Sequence, residues 1–143
     1  MYVIAAVDTD EHAERVVEEA LSLASAFGDT LQVVHAVPST EFAAIQREHV
    51  SAGGDTLTRE QVARSHLDST LDPDVIPESV DLEVVGLDGE PAEAILEHAA
   101  SLDTRYIVLG GRDRTPVGKA VFGSIAQSVI LEAETTVVMA GDR

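Results

Sequence analysis

The sequence predicts an α/β fold: a doubly wound, parallel five-stranded sheet with helices on both faces. Three observations carry this reading. Short, nearly continuous apolar runs recur along the chain, as expected of strands buried on both faces. Segments of helical spacing separate them and give the order βαβαβαβαβ. The connections are short and demand right-handed crossovers, which make successive strands parallel. At 143 residues the chain suits one domain over 1–143.

The elements follow in order. Tyr2 to Val7 (YVIAAV) is the first strand, stopping at Asp8-Thr9-Asp10. Asp10 is placed to cap a helix by accepting a free backbone N–H. That helix carries Ala13, Val16, Val17, Ala20, Leu21, Ala24 and Phe27 on one stripe, and Gly28 ends it. Leu31 to Val37 is the second strand, closed by Pro38. From Ser39 to Asp55 the periodicity weakens; Phe42, Ala43 and Ile45 suit a single helical turn, and Ser51-Ala52-Gly53-Gly54 reads as a flexible stretch. Thr58 to Gln61 matches a capping box opening a helix through Val62 and Leu67. Val80 to Gly86 alternates as a third strand. Pro91 fits the first turn of a helix bearing Ala94, Ile95, His98 and Ala99 on one face. Arg105 to Leu109 is the fourth strand, Gly123 to Leu131 a helix, and Thr135 to Ala140 the fifth strand.

Composition sets limits on function. Apolar residues make up 45% and charged residues 24%, the balance of a globular domain rather than a disordered chain. Cysteine is absent, which excludes disulfides, thiolate metal sites and a cysteine nucleophile. No apolar run reaches the roughly 20 residues that span a bilayer, and no basic segment precedes a signal core, so a cytoplasmic location is expected. The formal net charge is −17, spread along the chain, with Lys119 the one lysine. Such a surface repels nucleic acid and anionic membrane, and neither is expected as a partner. A dispersed acidic surface nearly without lysine also resembles that of proteins from salt-loving organisms, where salt near 1 M shrinks the Debye length to about 3 Å.

One segment concentrates the chemistry. After the fourth strand, Gly110-Gly111 leads through Arg112, Asp113, Arg114 and Lys119 to Gly123-Ser124, so three of the nine bases fall within eight residues. Glycines let backbone approach a ligand closely, and the following helix start offers unpaired N–H groups to an anion. Ser124 adds a hydroxyl donor. Neither GxxxxGK[ST] nor GxGxxG is present. Taken alone, the same loop would also serve as a plain strand-to-helix turn. His35 reads as a hydrogen-bonding residue at a strand end. His12, His49, His66 and His98 lack metal-ligand spacing, and no metal or catalytic residue is assigned.

These segments together resemble the universal stress protein family. Its nucleotide-binding members carry Gly-x2-Gly-x9-Gly-Ser/Thr after the fourth strand. Here Gly110 fills the first position and Gly123-Ser124 the last, while Asp113 stands where the second glycine belongs. Val7-Asp8-Thr9-Asp10 is similar to the family's Val-Asp-x-Ser, Val33 to Val37 to its Leu-His-Val strand, and Gly89 to Ile95 to the start of its third helix. The resemblance implies strand order 3-2-1-4-5 and an ATP or AMP site, with or without Mg²⁺, between strands one and four. By position, Asp8 would meet the adenine beside Ala6 and Val7, and Ala36 would line the adenine slot. Leu109 and Gly110 would approach the ribose. Arg112, Gly123, Ser124, Ile125 and Ala126 would surround the phosphates. Asp113 brings a carboxylate and added bulk to the point where backbone would meet phosphate. The resemblance further implies a homodimer paired through Thr135–Ala140.

The leading expectation is therefore a dimeric stress-response module that binds an adenine nucleotide and signals. With no positioned general base and no Walker-type Mg²⁺ ligand set, any ATP hydrolysis is expected to be slow. A rival keeps the fold and dimer without the ligand, and Asp113 favours it. A third reading, an α/β-sandwich enzyme, lacks support: the SGGxDS-like loop of ATP pyrophosphatases and the HxGH of nucleotidylyltransferases are both missing. The charge makes its own prediction. Thermal melts between about 0.1 M and about 3 M KCl should show a midpoint that rises with salt as screening relieves carboxylate repulsion. A midpoint indifferent to salt would contradict the salt-adapted reading.

Overall fold

The computed structural model describes residues 1–7, 12–70, 74, 76–114 and 120–141, with backbone alone at 70, 112–114, 120 and 121. Its central sheet has five strands in the order β3-β2-β1-β4-β7. These are β1 (Tyr2–Ala6), β2 (Thr30–Val37), β3 (Leu82–Asp88), β4 (Thr104–Leu109) and β7 (Thr136–Met139). Every pairing between them is parallel. This is the expected doubly wound sheet. β1 lies at its centre because Val3, Ile4 and Ala5 have no polar face to offer water, and all are fully buried.

Alternation along the strands feeds two cores. Val3, Ala5, Leu31, Val33 and Val108 face α1 (Ala13–Phe27) and α3 (Arg59–Thr70), where they meet Val16, Val17, Ala20, Ala63 and Leu67. Ile4, Val34, Ile107 and Leu109 face the other way, against Ile95 and Ala99 of α4 (Pro91–Ala100) and Val129 of α5 (Ser124–Glu132). With aromatics at 3%, these layers are made of aliphatic side chains. Deleting one such branch leaves a cavity that neighbours fill poorly.

Local signals act where the sequence placed them. Gly28 adopts φ 68° and closes α1 through its N–H to the Ala24 carbonyl. The capping box is reciprocal: the Thr58 N–H donates to Gln61 Oε1 at 2.8 Å, and the Gln61 N–H donates to Thr58 Oγ1 at 3.1 Å. Pro91 occupies the first turn of α4. α1 itself begins at Ala13, with His12 at its N-cap position and no side-chain cap. The expected capping residue Asp10 lies outside the described residues.

The structure departs from the sequence reading at several points. Ser39–Ser51 forms a full helix, α2, rather than a single turn. None of its residues is buried, so periodicity had no core face to report. Tertiary contacts hold it instead. The Gln46 amide pairs with the backbone N–H and carbonyl of Leu57, and the Arg59 guanidinium lies 4.2 Å from the centre of the Phe42 ring. Within the Ser51–Gly54 stretch the Gly53 and Gly54 N–H groups donate to the Val50 and His49 carbonyls, closing a turn after α2. The loop after β4 contains a second, antiparallel sheet of β5 (Arg112–Arg114) and β6 (Ala120–Phe122), in which Asp113 pairs with Val121. Finally, Phe27 is 47% exposed rather than part of the α1 stripe. It covers the sheet's amino edge, its ring 5.8 Å from Tyr106 and 4.3 Å beneath the Arg105 guanidinium.

That edge is fastened by charge. Arg105 Nε donates to Asp29 Oδ2 at 2.6 Å, and the chain's terminal ammonium stands 3.7 Å from Asp29 Oδ1. The Asp29 side chain is only 4% exposed. The hydrogen bond from Arg105 holds its carboxyl below the ordinary 3.8 against the opposing effect of burial. Between α4 and the sheet, His98 Nε2 donates to Gln32 Oε1 at 2.6 Å, and Gln32 donates to Glu83. Burial pushes the His98 imidazole below its ordinary 6.5, with Glu83 pulling it upward. Because the unfolded chain takes up that proton first, His98 weakens the fold as pH drops below 6.5. Asp29 acts in a lower window. Its lowered pKa stabilises the fold above 3.8, and that contribution disappears as pH falls through the folded value. Asp29→Asn should therefore lower the thermal midpoint by at least about 3 °C at neutral pH. The gap from wild type should close in acid below 3.8. Equal midpoints at neutral pH would show that the pair is not holding this edge.

Candidate functional site

The winding direction reverses between β1 and β4: β2 and β3 lie to one side of them and β7 to the other. In an open parallel sheet the connections diverge at such a point and leave a crevice beyond the carboxyl ends of the strands. Here the crevice is a cleft of about 230 Å³. Its floor is the ends of the central strands, Ala6, Val7, Ala36 and Leu109, followed by the Gly110-Gly111 turn. One wall is the start of α1, with His12, Ala13 and Val16; the other is Pro91 and Ile95 of α4. Gly123, Ser124, Ile125 and Ala126 at the start of α5 complete it.

Hydrogen bonds fix the floor. The Val7 N–H continues the sheet by donating to the Val34 carbonyl at 3.0 Å. The buried His35 ring pairs through Nδ1 with the Val7 carbonyl, also at 3.0 Å. With the proton on Nδ1, His35 closes the last backbone acceptor of this strand end, the strand-end role its position suggests. It also packs 4.8 Å from the His66 ring of α3.

The glycine turn brings three elements together. Gly111 has φ 92°, a left-handed conformation that an L side chain rarely adopts. Its carbonyl accepts the Gly123 N–H at 3.1 Å and so ties the end of β4 to the start of α5. At Gly110 the start of α1 lies close. A Cβ there would lie 2.7 Å from His12 Cβ and 2.8 Å from Val16 Cγ2. Gln127 reinforces the α5 start, its amide donating to the Phe122 carbonyl at 2.8 Å.

Nine of the eleven residues singled out from the sequence line this cleft: Ala6, Val7, Ala36, Leu109, Gly110, Gly123, Ser124, Ile125 and Ala126. Asp8 lies outside the described residues, and Arg112 is described by its backbone alone, on β5. Sequence reasoning missed His12, Ala13, Val16, Gly111, Pro91 and Ile95 as lining residues. A signal existed: His12 with Val16 and Pro91 with Ile95 are i, i+4 pairs at helix starts that face the carboxyl edge. Chemically, the cleft offers an apolar slot at the strand ends and hydrogen-bond donors around the glycine turn. Among the described residues no group of three or more His, Asp or Glu side chains could hold a metal ion, and no helix is long and apolar enough to cross a membrane.

The close approach at Gly110 is directly testable. Gly110→Ala must displace the His12 or Val16 side chain, and overpacking of this kind costs about 1–3 kcal/mol. Thermal unfolding should show a lowered midpoint. An unchanged one would mean that α1 is not pressed against the turn.

Comparison with known proteins places the chain. The model of the universal stress protein family matches residues 1–141. The universal stress protein in the QAH/OAS sulfhydrylase 3′ region of Thermus aquaticus is 30% identical over 137 residues, 96% of each chain. The match to the stress response protein NhaX of Bacillus subtilis is shorter, 36% identity over 53 residues, which is 37% of this chain and 32% of that one. Among solved structures, a universal stress protein from Archaeoglobus fulgidus superposes with a TM-score of 0.71 at 29% identity, covering 97% of both chains. Another, described as the universal stress protein from Archaeoglobus fulgidus in complex with dAMP, gives 0.64 at 26% identity over 97% of this chain and 96% of that one.

Proposed function

The chain belongs to the universal stress protein family, and we propose that its cleft binds an adenine nucleotide, ATP or AMP, in a dimeric signalling or interaction module. One observation carries the reading. At the switch point of the sheet, the apolar ends of β1 and β2 adjoin a glycine turn that is bonded to the start of α5. A base needs the first feature and a phosphate the second. Ala6, Val7 and Ala36 offer a flat, apolar slot whose small side chains leave room for an adenine. Gly110 and Gly111 allow a ribose close to the backbone. Gly123 has no side chain to shield the first N–H groups of α5, and Ser124 adds its hydroxyl. The described relative bound to dAMP supports the choice of an adenine nucleotide.

By sequence position, Asp8 would take the adenine and Arg112 would reach the phosphates. Any Mg²⁺ would be carried by the phosphates, since the described lining holds no acidic cluster to bind it. Dimerisation would pair β7 with its copy. This strand forms one edge of the sheet, bonded only on its β4 side, and an open edge of this kind invites a partner strand. Leu131, 82% exposed at the end of α5, adds apolar surface just before it.

Calorimetric titration with ATP, AMP and adenosine in high KCl, with light scattering on the same samples, tests both parts. Saturable binding of AMP or ATP by a dimer is expected. A protein that takes up none of the three ligands would leave the same fold as an interaction module with an empty cleft. A monomer at micromolar concentration would remove the β7 pairing.

A further inference from the structure

We infer that His35 is a positioning residue for this cleft: by taking the Val7 carbonyl it keeps the Ala36 N–H out of the sheet and open to a ligand's hydrogen-bond acceptor. The ligand side of this deduction rests on the nucleotide reading above. The parallel ladder of β1 with β2 ends at Ala6 and Val34, and one backbone bond runs beyond it, from the Val7 N–H to the Val34 carbonyl at 3.0 Å. In a parallel ladder, a residue that donates to one partner accepts from the residue two further along the same strand. The next rung would therefore bring the Ala36 N–H onto the Val7 carbonyl. Among the described residues that rung is not made. The carbonyl takes the His35 ring instead, with Nδ1 at 3.0 Å. A carbonyl only accepts, so Nδ1 carries the proton.

The ring is held in place, 7% exposed and 4.8 Å from the His66 ring of α3. Ala36 follows Val34 by two residues, so its N–H leaves β2 on the same side, towards β1. β1 has ended there, and Ala36 lines the cleft. A backbone donor that faces an open cleft meets water or a ligand, whereas one that closes a ladder meets neither. The ring nitrogens of a purine base are acceptors of the kind this donor needs. AMP and adenosine share that base, so His35 should act on both alike, unlike a group that touches phosphate.

Hydrogen exchange and calorimetry on wild type, His35→Leu and His35→Asn test the inference. Leucine keeps apolar bulk without a donor, whereas the asparagine amide nitrogen stands at the same place along the side chain as Nδ1. In ligand-free wild type the Ala36 amide should exchange at least about tenfold faster than the laddered Val34 amide. Saturating AMP should slow it by about tenfold. In His35→Leu the rung closes: the Ala36 amide should be slow without ligand, and AMP and adenosine should both weaken about tenfold. His35→Asn should return both affinities to within about threefold of wild type. Should the leucine variant fail to fold, exchange in wild type with and without AMP still reads whether the N–H is open. A slow Ala36 amide in ligand-free wild type overturns the inference. So does a leucine variant whose exchange and affinities match wild type, or an asparagine variant that loses as much affinity as leucine. A wild type that binds neither ligand overturns the nucleotide reading, and an Ala36 amide that is fast there and slow in His35→Leu still supports the role of His35 at the strand end.

Discussion

Gly110 lets α1 lie against the end of β4, since a Cβ at that position would come within 2.8 Å of both His12 and Val16. The rest of the carboxyl edge follows from this contact. With α1 seated there, His12 and Val16 become one wall of the cleft. Gly111 then turns with φ 92° and reaches the Gly123 N–H, which sets the start of α5 opposite. With a side chain at that position, the helix would stand off the sheet and the two halves of the site would separate. A single absent Cβ therefore couples the packing of the sheet to the shape of the cleft.

The opposite edge is built on a different principle. Around Asp29, Arg105 and the terminal ammonium, close charge pairing and the tilted ring contact of Phe27 with Tyr106 fix the strand starts. This edge carries two of the described cationic groups but no cleft lining. The division suits a parallel sheet: strand starts can be stapled shut, whereas strand ends at the switch point must stay open for a ligand. Between the edges the aliphatic layers keep the strands in register, so the placement of the floor residues depends on core packing rather than on any single polar contact.

Much of this was legible in the sequence. β1, β2 and β4 appear as apolar runs because consecutive residues of each are buried, and the turn at Gly28 and the Thr58–Gln61 box announce themselves by residue type. α2 was not legible, because its stability comes from Gln46, Leu57, Phe42 and Arg59 meeting in space rather than from a buried stripe. The β5–β6 pair escaped for another reason: strands of three residues are too short to show a period. At the site, glycines and Ser124 stand out by chemistry. Val16 and Ile95 do not, since a residue lining a cleft and one filling a core share the same apolar helical spacing. Phe27 shows the converse case, an apolar residue in register with the stripe that caps an edge instead of entering the core.

The central claim is that an adenine nucleotide sits at the switch point, between the floor of β1 and β2 and the Gly110-Gly111 turn. Amide chemical shifts followed while AMP is added report on location as well as binding. The account predicts perturbations concentrated at Val7, Ala36, Gly110, Gly111, Gly123 and Ser124. Shifts confined to another face, such as the Asp29–Arg105 edge, or no shifts at saturating AMP, would contradict it.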